Sequence, residues 1–552
     1  MNRRHVLQGM QGLGLGLVVT RGYAAKHNAP VYFTHSVASG DPEADRVILW
    51  TRVIPNGGTQ SVAVSWQVAE DAGFRRVVAL GESTAESERD FTVKVDATGL
   101  EPNTRYFYRF LCMGVTSDTG RTKTMPSGDV TSFKIGVASC SNFPQGYFNA
   151  YRHMADTNLD LVLHLGDYIY EYPEASYAND YARNVLNRNV VPTHETVALE
   201  DYRMRYGLYR TDEDLQAVHQ RHPFICVWDD HELANNTWKD GAENHNEGEG
   251  DFHARIRAAR QAYHEWMPIR TPAEGDQGPI YRGFQIGTLA DLIMLDTRLV
   301  GRDRGLEYSK DMLFHPRTSP DQTPRPDVEG FKAQRLRDPK RNLLGEKQEQ
   351  WLDETLTQSA KRGCVWQILG QQVLMGRVGI PNLGTSAAES DELTEAQKQY
   401  VQFMQVLGKL GMPLNLDAWD GYPISRERVA AMMVKAGGNP VVLAGDTHNA
   451  WAFNLSDDHG QPIAVEVGTP GISSPGMESY LQVSGAELTT ALKAASPELV
   501  DVDTSQRGWS EIELTPSAMS SQWHFVSTIM DRRFTTTSST PLVCKAGERQ
   551  FS

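Results

Sequence analysis

The chain has 552 residues, 40% of them apolar and 22% charged, with a formal net charge of −15. This length is too great for one ordinary core and predicts two to three domains, and the composition excludes wholesale disorder. The acidic balance, with no basic tract or aromatic-basic stripe, argues against a nucleic-acid-binding module.

Residues 1–25 read as an export signal peptide. Arg3-Arg4 precede a Gly/Leu-rich apolar run from Met10 to Val19, far short of the roughly twenty residues that span a bilayer. Gly22, Ala24 and Ala25 offer a cleavage site. The arginine pair before a weakly hydrophobic run looks like a twin-arginine signal, the bacterial route for proteins folded before export; a general secretory signal carrying two arginines is the plainer alternative. The expected partner is the twin-arginine export machinery and the expected location periplasmic or secreted. No second long apolar run follows, so no stable transmembrane anchor is expected.

Residues 29–126 are predicted all-β, as an Ig/fibronectin-like sandwich. Val47–Trp50, Val62–Val68, Phe91–Val95 and Tyr106–Phe110 are short alternating strands between turn residues. Leu100 to Tyr106 resembles the turn and corner tyrosine of fibronectin type III-like domains, and Pro126-Ser127-Gly128-Asp129 is the natural linker. This domain is expected to buttress the catalytic domain or to cover part of its cleft.

From 132 to 530 strands alternate with helices. Phe133, Ile135 and Val137 alternate along a strand ending at Ser139-Cys140, a helix follows from about Gly146 to Asp156, and Leu161–Leu165 forms a second strand delivering Asp167 and Tyr170. Such a βαβ unit has parallel strands, and ligands bind beyond their carboxyl ends. A largely helical stretch from Val197 to Arg221 feeds a strand, Phe224–Trp228, that ends at Asp229-Asp230-His231-Glu232. Asp251 to Trp266 is a helix and Ala290 to Leu295 a strand closing at Asp296-Thr297-Arg298. Gly301 to Leu343 reads as a long surface excursion, either a lid or a solvated loop. Helices at Glu346–Leu356 and Arg426–Lys435 and strands at Cys364–Leu369 and Pro440–Ala444 follow, the last closing at Gly445-Asp446-Thr447-His448. β character returns near Trp523–Val526, and 531–552 is a C-terminal tail. Five cysteines without CxxC spacing argue against a zinc knuckle; Cys112, Cys226 and Cys364 read as small buried hydrophobes, with a disulfide open.

Four strands thus end in potential ligands: Cys140, Asp167 with Tyr170, Asp229-Asp230-His231, and Asp446 with His448. Turn capping by aspartate explains one or two of them but not the set. Mixed thiolate, phenolate, imidazole and carboxylate donors suit ferric iron or zinc, and oxygen-rich sets suit calcium, magnesium or manganese. Two such cations clamp both oxygens of an in-line displacement at phosphorus. Around them, Trp419–Tyr422 either lines the cleft or forms a core corner, Gln371-Gln372 either contact the site or cap a turn, and His164 reads as a core histidine. Arg298 either meets phosphate or steadies Asp296 in a structural salt bridge. Ser139 and Ser141 lack a His-Asp pair arranged in sequence and are weak nucleophile candidates. The acidic run Glu243 to Asp251 is a solvated loop or a peripheral calcium site.

SCSN at 139–142, GDYIYEY at 166–172, WDDHE at 228–232, LDTR at 295–298, WDGY at 419–422 and GDTHNAW at 445–451, with VASGDP at 37–42 and ILWTR at 48–52, resemble the PhoD-type alkaline phosphatases in order across nearly the whole chain. The resemblance implies an α/β (α+β) metallophosphoesterase sandwich of two mixed sheets flanked by helices, with Fe3+ and Ca2+, or other divalent metals, at its site. It implies Cys140 and Tyr170 as iron ligands, Asp167 as the bridging carboxylate, and Asp446 and His448 as completing the cluster. One of Asp229 and Asp230, with Asn235 or Asn236, would bind calcium, Asn236 taken as the ligand. Asn235 and Arg298 would face substrate, and His231 would contact phosphate or assist the leaving group, acting with Asp167. The implied activity is hydrolysis of phosphate monoesters or diesters by metal-activated water. A phospholipase-like phosphodiesterase acting on lipids or polymers, and a non-catalytic phosphate- or polymer-binding surface protein, are the alternatives.

Overall fold

The computed structural model describes residues 29–316, 325–383, 395–479 and 484–552, so the expected export signal lies outside the described residues. Two large mixed sheets carry the fold. The first runs Thr536–Ser538, Ala518–Val526, Arg507–Leu514, Phe133–Ala138, Leu161–His164, Pro223–Cys226, Val37–Gly40, Arg46–Arg52 and Thr92–Thr98, with Leu542–Lys545 also paired to Ala518–Val526. The second runs Arg282–Ile286, Ala290–Met294, Trp366–Gly370, Asn439–Ala444, Pro462–Gly468, Ala450–Ser456 and Leu499–Asp503.

At the centre of each sheet the pairing is parallel. The expected βαβ unit is present, Ile135 opposite Leu161 through Ala138 opposite His164. In the second sheet Ala290–Met294, Trp366–Gly370 and Asn439–Ala444 run side by side in the same sense. These central strands are buried residue after residue, the pattern of strands covered on both faces. Ile135, Leu163 and Ile225 of one sheet share a core with Leu292, Ile368 and Val441 of the other. Helices flank the pair. Asn149–Asp156 begins three residues later than predicted, and the stretch 197–221 is two helices, Leu199–Tyr209 and Glu213–Arg221. Asp212 separates them because its carboxylate caps the second, accepting from the Asp214 and Leu215 amides at 3.0 and 3.2 Å.

In the N-terminal region Gly120–Lys123, Arg105–Cys112, Ser61–Ala69 and Val77–Glu86 form a separate antiparallel sheet. It packs on Val37–Gly40, Arg46–Arg52 and Thr92–Thr98 across a core that includes Val47, Leu49, Val64, Val68 and Phe110. The Tyr106 hydroxyl accepts the Glu101 amide at 2.9 Å, closing the tyrosine corner. The second layer of this sandwich is not its own. Ser39 and Gly40 pair in parallel with Pro223 and Phe224, so the hydrogen-bonded ladder continues past the linker at Pro126 and leaves no open edge there. The segment 531–552 likewise adds two strands to the first sheet instead of trailing as a tail.

The excursion after Gly301 is more ordered than its composition suggests. Leu306, Phe331 and Leu336 form a small core with Ile380, Leu407 and Leu416, built partly by the unanticipated helix Glu395–Lys409. All five cysteines are free and buried.

Candidate metal centre

The loops leaving the parallel strands gather at one edge and lock to one another. The Cys140 amide donates to the Gly166 carbonyl at 3.2 Å, the Ser141 amide to Asp167 at 2.9 Å and the Gly445 amide to Gln372 at 2.7 Å. Gly166 has φ +108°, and a Cβ there would stand 2.3 Å from the Asp229 Cβ. That close approach sets the Asp167 and Asp229 loops against each other.

Three overlapping groups of ligand atoms result, each within 4.8 Å: Cys140, Asp167 and His448; Asp167, Asp230 and His231; and Asp229, Asp230 and Asp446. Asp167 belongs to two of them and Asp230 to two. The Tyr170 hydroxyl donates to Asp167 Oδ2 at 3.0 Å and lies 3.3 Å from His448 Nε2. His448 Nδ1 is 2.7 Å from the Pro475 carbonyl. Since a carbonyl only accepts, the proton sits on Nδ1 and leaves the Nε2 lone pair toward the cluster. Burial holds this imidazole near a pKa of about 3, so it is neutral.

Burial, reinforced by Asp167, raises the Cys140 thiol well above its usual range, and burial with Asp167 does the same to the Tyr170 phenol. Asp167 itself is pushed up by burial against the opposing charge of His231. A thiol, a phenol and several acids packed this tightly hold protons unless cations replace them. Asp167 Oδ1 and Asp229 Oδ2 are buried and have no hydrogen-bond partner among the described residues, so oxygen lone pairs are left for a ligand. Donor identity, spacing and orphaned oxygens therefore fit metal ions.

Arg298, fully buried, organises the second group. Its guanidinium touches Asp229, bonds Asp446 at 2.9 Å and Asp417 at 2.7 Å, and stands 3.7 Å from Asp230. Steadying Asp296 is one of the two roles open for Arg298 in the sequence, but Asp296 accepts only the Arg298 backbone amide, at 2.9 Å, while the guanidinium pairs with these other aspartates. Burial pushes Asp229 well up and Asp446 to about 7, Arg298 opposing in both. In Asp230 the net direction reverses: burial is again the largest single influence and pushes upward, but Arg298, His231 and the Asn236 amide together hold it below the usual carboxylate range. Burial also opposes charge on His231, yet Asp230, Glu171 and Asp167 together raise its pKa well above the usual. Its Nδ1 lies 2.7 Å from Glu171 Oε2, and its ring centroid 4.3 Å from that of Tyr170.

The Asn236 amide donates to Asp230 Oδ2 at 2.6 Å and the Asn235 amide to Glu171 Oε1 at 2.7 Å. Both asparagine side chains reach Glu243, while Glu249 meets Arg255 and Asp251 caps a helix. The acidic run is thus largely engaged within the fold. Ser141 donates to the Tyr168 carbonyl at 3.0 Å, Gln372 ties Trp228 to Leu295 and Thr297, and His164 lies 2.8 Å from the Tyr151 hydroxyl. Trp419 and Tyr422 are buried in the second core, making that turn a core corner.

Glu171, Glu232 and Asp417 hold the ligand-bearing residues in place, a part not expected from the sequence. Glu232 accepts the amides of Asp167 at 3.0 Å and Asp229 at 2.7 Å, joining two ligand loops. Glu171 and Glu232 sit inside the motifs at 166–172 and 228–232, where their presence was the signal. Asp417 follows no strand, and only its meeting with Arg298 and Arg302 reveals it.

Residues 135–523 match the family described as PhoD-like phosphatase, and residues 19–126 match its N-terminal domain. The chain belongs to the PhoD-like phosphatase family. Alkaline phosphatase D of Bacillus subtilis (strain 168) is 38% identical over 478 residues, 83% of this chain and 73% of that protein. A solved structure of PhoD covers 94% of this chain and 91% of its own, at 31% identity and a TM-score of 0.76. The protein is an enzyme, a PhoD-like phosphatase, and the reading as a non-catalytic binding protein is set aside. No described helix is long and apolar enough to cross a membrane.

Proposed function

We propose that the protein is an exported, metal-dependent hydrolase of phosphate esters, and that its reaction takes place at the cluster around Asp167. The observation that carries this is the overlap of three ligand groups on Asp167 and Asp230, with unpartnered oxygens on Asp167 and Asp229. Cys140, Tyr170, Asp167 and His448 form the set suited to ferric iron; Asp229, Asp230 and Asp446, with Asn236 beside them, suit calcium. Cations bound there supply Lewis acidity to phosphoryl oxygens and bring the pKa of an attacking water toward neutrality.

The chain's own groups do the rest. His231, fixed through Nδ1 by Glu171, carries a proton on Nε2 that it can donate to a phosphoryl oxygen or to the departing alkoxide. Arg298 holds Asp229, Asp446 and Asp417 in register, and Glu232 fixes the loops of Asp167 and Asp229. Asn235, anchored through Glu171, stands toward substrate. Because these positions are set before substrate arrives, transition-state charge meets an environment that need not reorganise. The surrounding fold is read as the two-sheet metallophosphoesterase sandwich, and the leading segment as a twin-arginine signal to the periplasm or exterior. The activity covers monoesters, diesters or both; phospholipase-like action on diester lipids is the nearest rival.

Elemental analysis, an absorption spectrum and assays with p-nitrophenyl phosphate and bis-p-nitrophenyl phosphate, all on one sample from the native compartment, test the reading. Iron plus calcium, a visible band lost in Tyr170→Phe and calcium-dependent turnover are expected. Zinc alone, or a metal-free protein with full turnover, overturns the assignment.

A further inference from the structure

Beside the centre lies a cavity of about 290 Å3 that the chemistry described so far does not use. Its wall is Leu374, Val378, Leu414, Ala418, Trp451 and Met477, and Asp446 stands in the same lining. Two of the polar contacts in its lining are made within the lining loops themselves. Trp451 Nε1 donates to Thr447 Oγ1 at 2.8 Å, and Asn415 Oδ1 accepts the Asp417 amide at 2.8 Å. What faces the space is mainly carbon.

The wall is also held in place from behind. The Met375 and Gly376 amides donate to Glu466 at 2.7 Å, the Val378 amide to Asp420 at 2.9 Å and the Leu414 amide to the Val378 carbonyl at 2.7 Å. The Trp451 ring stacks on Phe453 at a centroid distance of 5.8 Å. A preformed apolar cavity with one polar end is the usual form of a small-molecule subsite. A second cavity, by Asn236 and Glu243, is of different character: its cations are already paired, Arg304 with Asp311 and Lys310 with Glu307.

We propose that the apolar cavity receives the organic group of the phosphate ester, so that the enzyme prefers longer-alkyl or arylalkyl esters of up to about ten non-hydrogen atoms, on the scale of the roughly 150 Å3 that holds six-carbon benzene, over polyol esters. The inference rests on the phosphatase reading of the neighbouring centre. Asp446 belongs both to the ligand group and to the cavity lining, so a phosphoryl group at the centre has the cavity within reach of its ester oxygen. An apolar cavity of roughly 150 Å3 holds a benzene ring; this one has room for a ring and its linker. A polyol placed there would lose hydrogen bonds to water without replacement.

The test compares kcat/KM for ethyl, butyl and 2-phenylethyl phosphate with that for glycerol 1-phosphate, chosen as alkyl esters so that leaving-group acidity varies little. Binding of methylphosphonate and 2-phenylethylphosphonate is measured calorimetrically on the same protein. Each step in apolar size should raise kcat/KM by about tenfold until the cavity is full. Leu414→Trp should cancel that gain while leaving ethyl phosphate within about twofold, and Met477→Ala should move the optimum to a larger group. Equal kcat/KM for all four esters, or an equal loss for all of them in Leu414→Trp, overturns the subsite and leaves the phosphatase reading intact. If no ester is hydrolysed yet 2-phenylethylphosphonate binds more tightly than methylphosphonate, and only when Leu414 is present, the subsite stands and the reading of the centre fails.

Discussion

Cys140, Asp167, Asn236, Asp446 and His448 all adopt left-handed backbone, with φ between 51° and 64°. A non-glycine residue held there costs on the order of 1–3 kcal/mol and persists only where the surroundings over-determine it. Around Cys140 they do: its carbonyl accepts the Ser473 and Ser474 amides at 3.3 and 3.2 Å and the Ser474 hydroxyl at 2.9 Å. The strain therefore coincides with the residues proposed to hold metal. Replacing the thiol without disturbing this frame isolates its role. Cys140→Ser should lower phosphatase activity by at least about 10–100-fold, the loss typical when a mere supporting partner of a metal ligand is removed. Its thermal midpoint should stay close to that of the parent, and unchanged activity would refute ligation by Cys140.

Elements owe their limits to single side chains at their ends. The helix Phe252–Trp266 starts where Asp251 accepts the Ala254 amide at 2.7 Å. Asp251→Ala should cost about 1 kcal/mol of stability, read by urea denaturation, and should leave kcat unchanged. In the first sheet, Glu511 on Arg507–Leu514 meets His524 at 3.5 Å and Lys134 at 2.9 Å. These partners, His524 foremost, depress the Glu511 pKa from 4.5 to about 2. A carboxylate with a lowered folded pKa stabilises above its unfolded value and loses that contribution as pH falls through the folded one. The difference in thermal midpoint between the parent and Glu511→Gln should therefore shrink between pH 4.5 and 2. A difference that stays constant across that window contradicts the coupling.

At the scale of the molecule the N-terminal sandwich and the catalytic sheets are one hydrogen-bonded body. Gly40 is the seam, since a Cβ there would lie 2.1 Å from the Pro268 carbonyl oxygen and 2.6 Å from that of Phe224. Gly40→Ala should force the strands apart and lower the melting temperature of the whole chain in a single calorimetric transition. Two separate transitions, with only the N-terminal one shifted, would show that the halves fold independently.

The strands that carry the candidate ligands, and their order along the chain, are legible in the amino-acid sequence to within about two residues. Alternation along Phe133–Ala138, an apolar run at Leu161–Leu165 and the polar residue closing each are local features, and local features survive in a one-dimensional reading. Pairing partners do not. The ladder from Gly40 to Phe224 joins residues far apart in the chain, and the strands Ala450–Ser456, Pro462–Gly468 and Leu499–Asp503 had no assigned place before their partners were known. The same holds within the site. Cys140, Asp167, His231, Asp446 and His448 announce themselves by position after a strand, whereas Asp417 acquires its meaning only beside Arg298. The cavity wall likewise collects side chains from Leu374 to Met477. Only tertiary structure brings such residues together, because an enclosed apolar space is a property of packing between distant segments and leaves no periodic trace in any one of them.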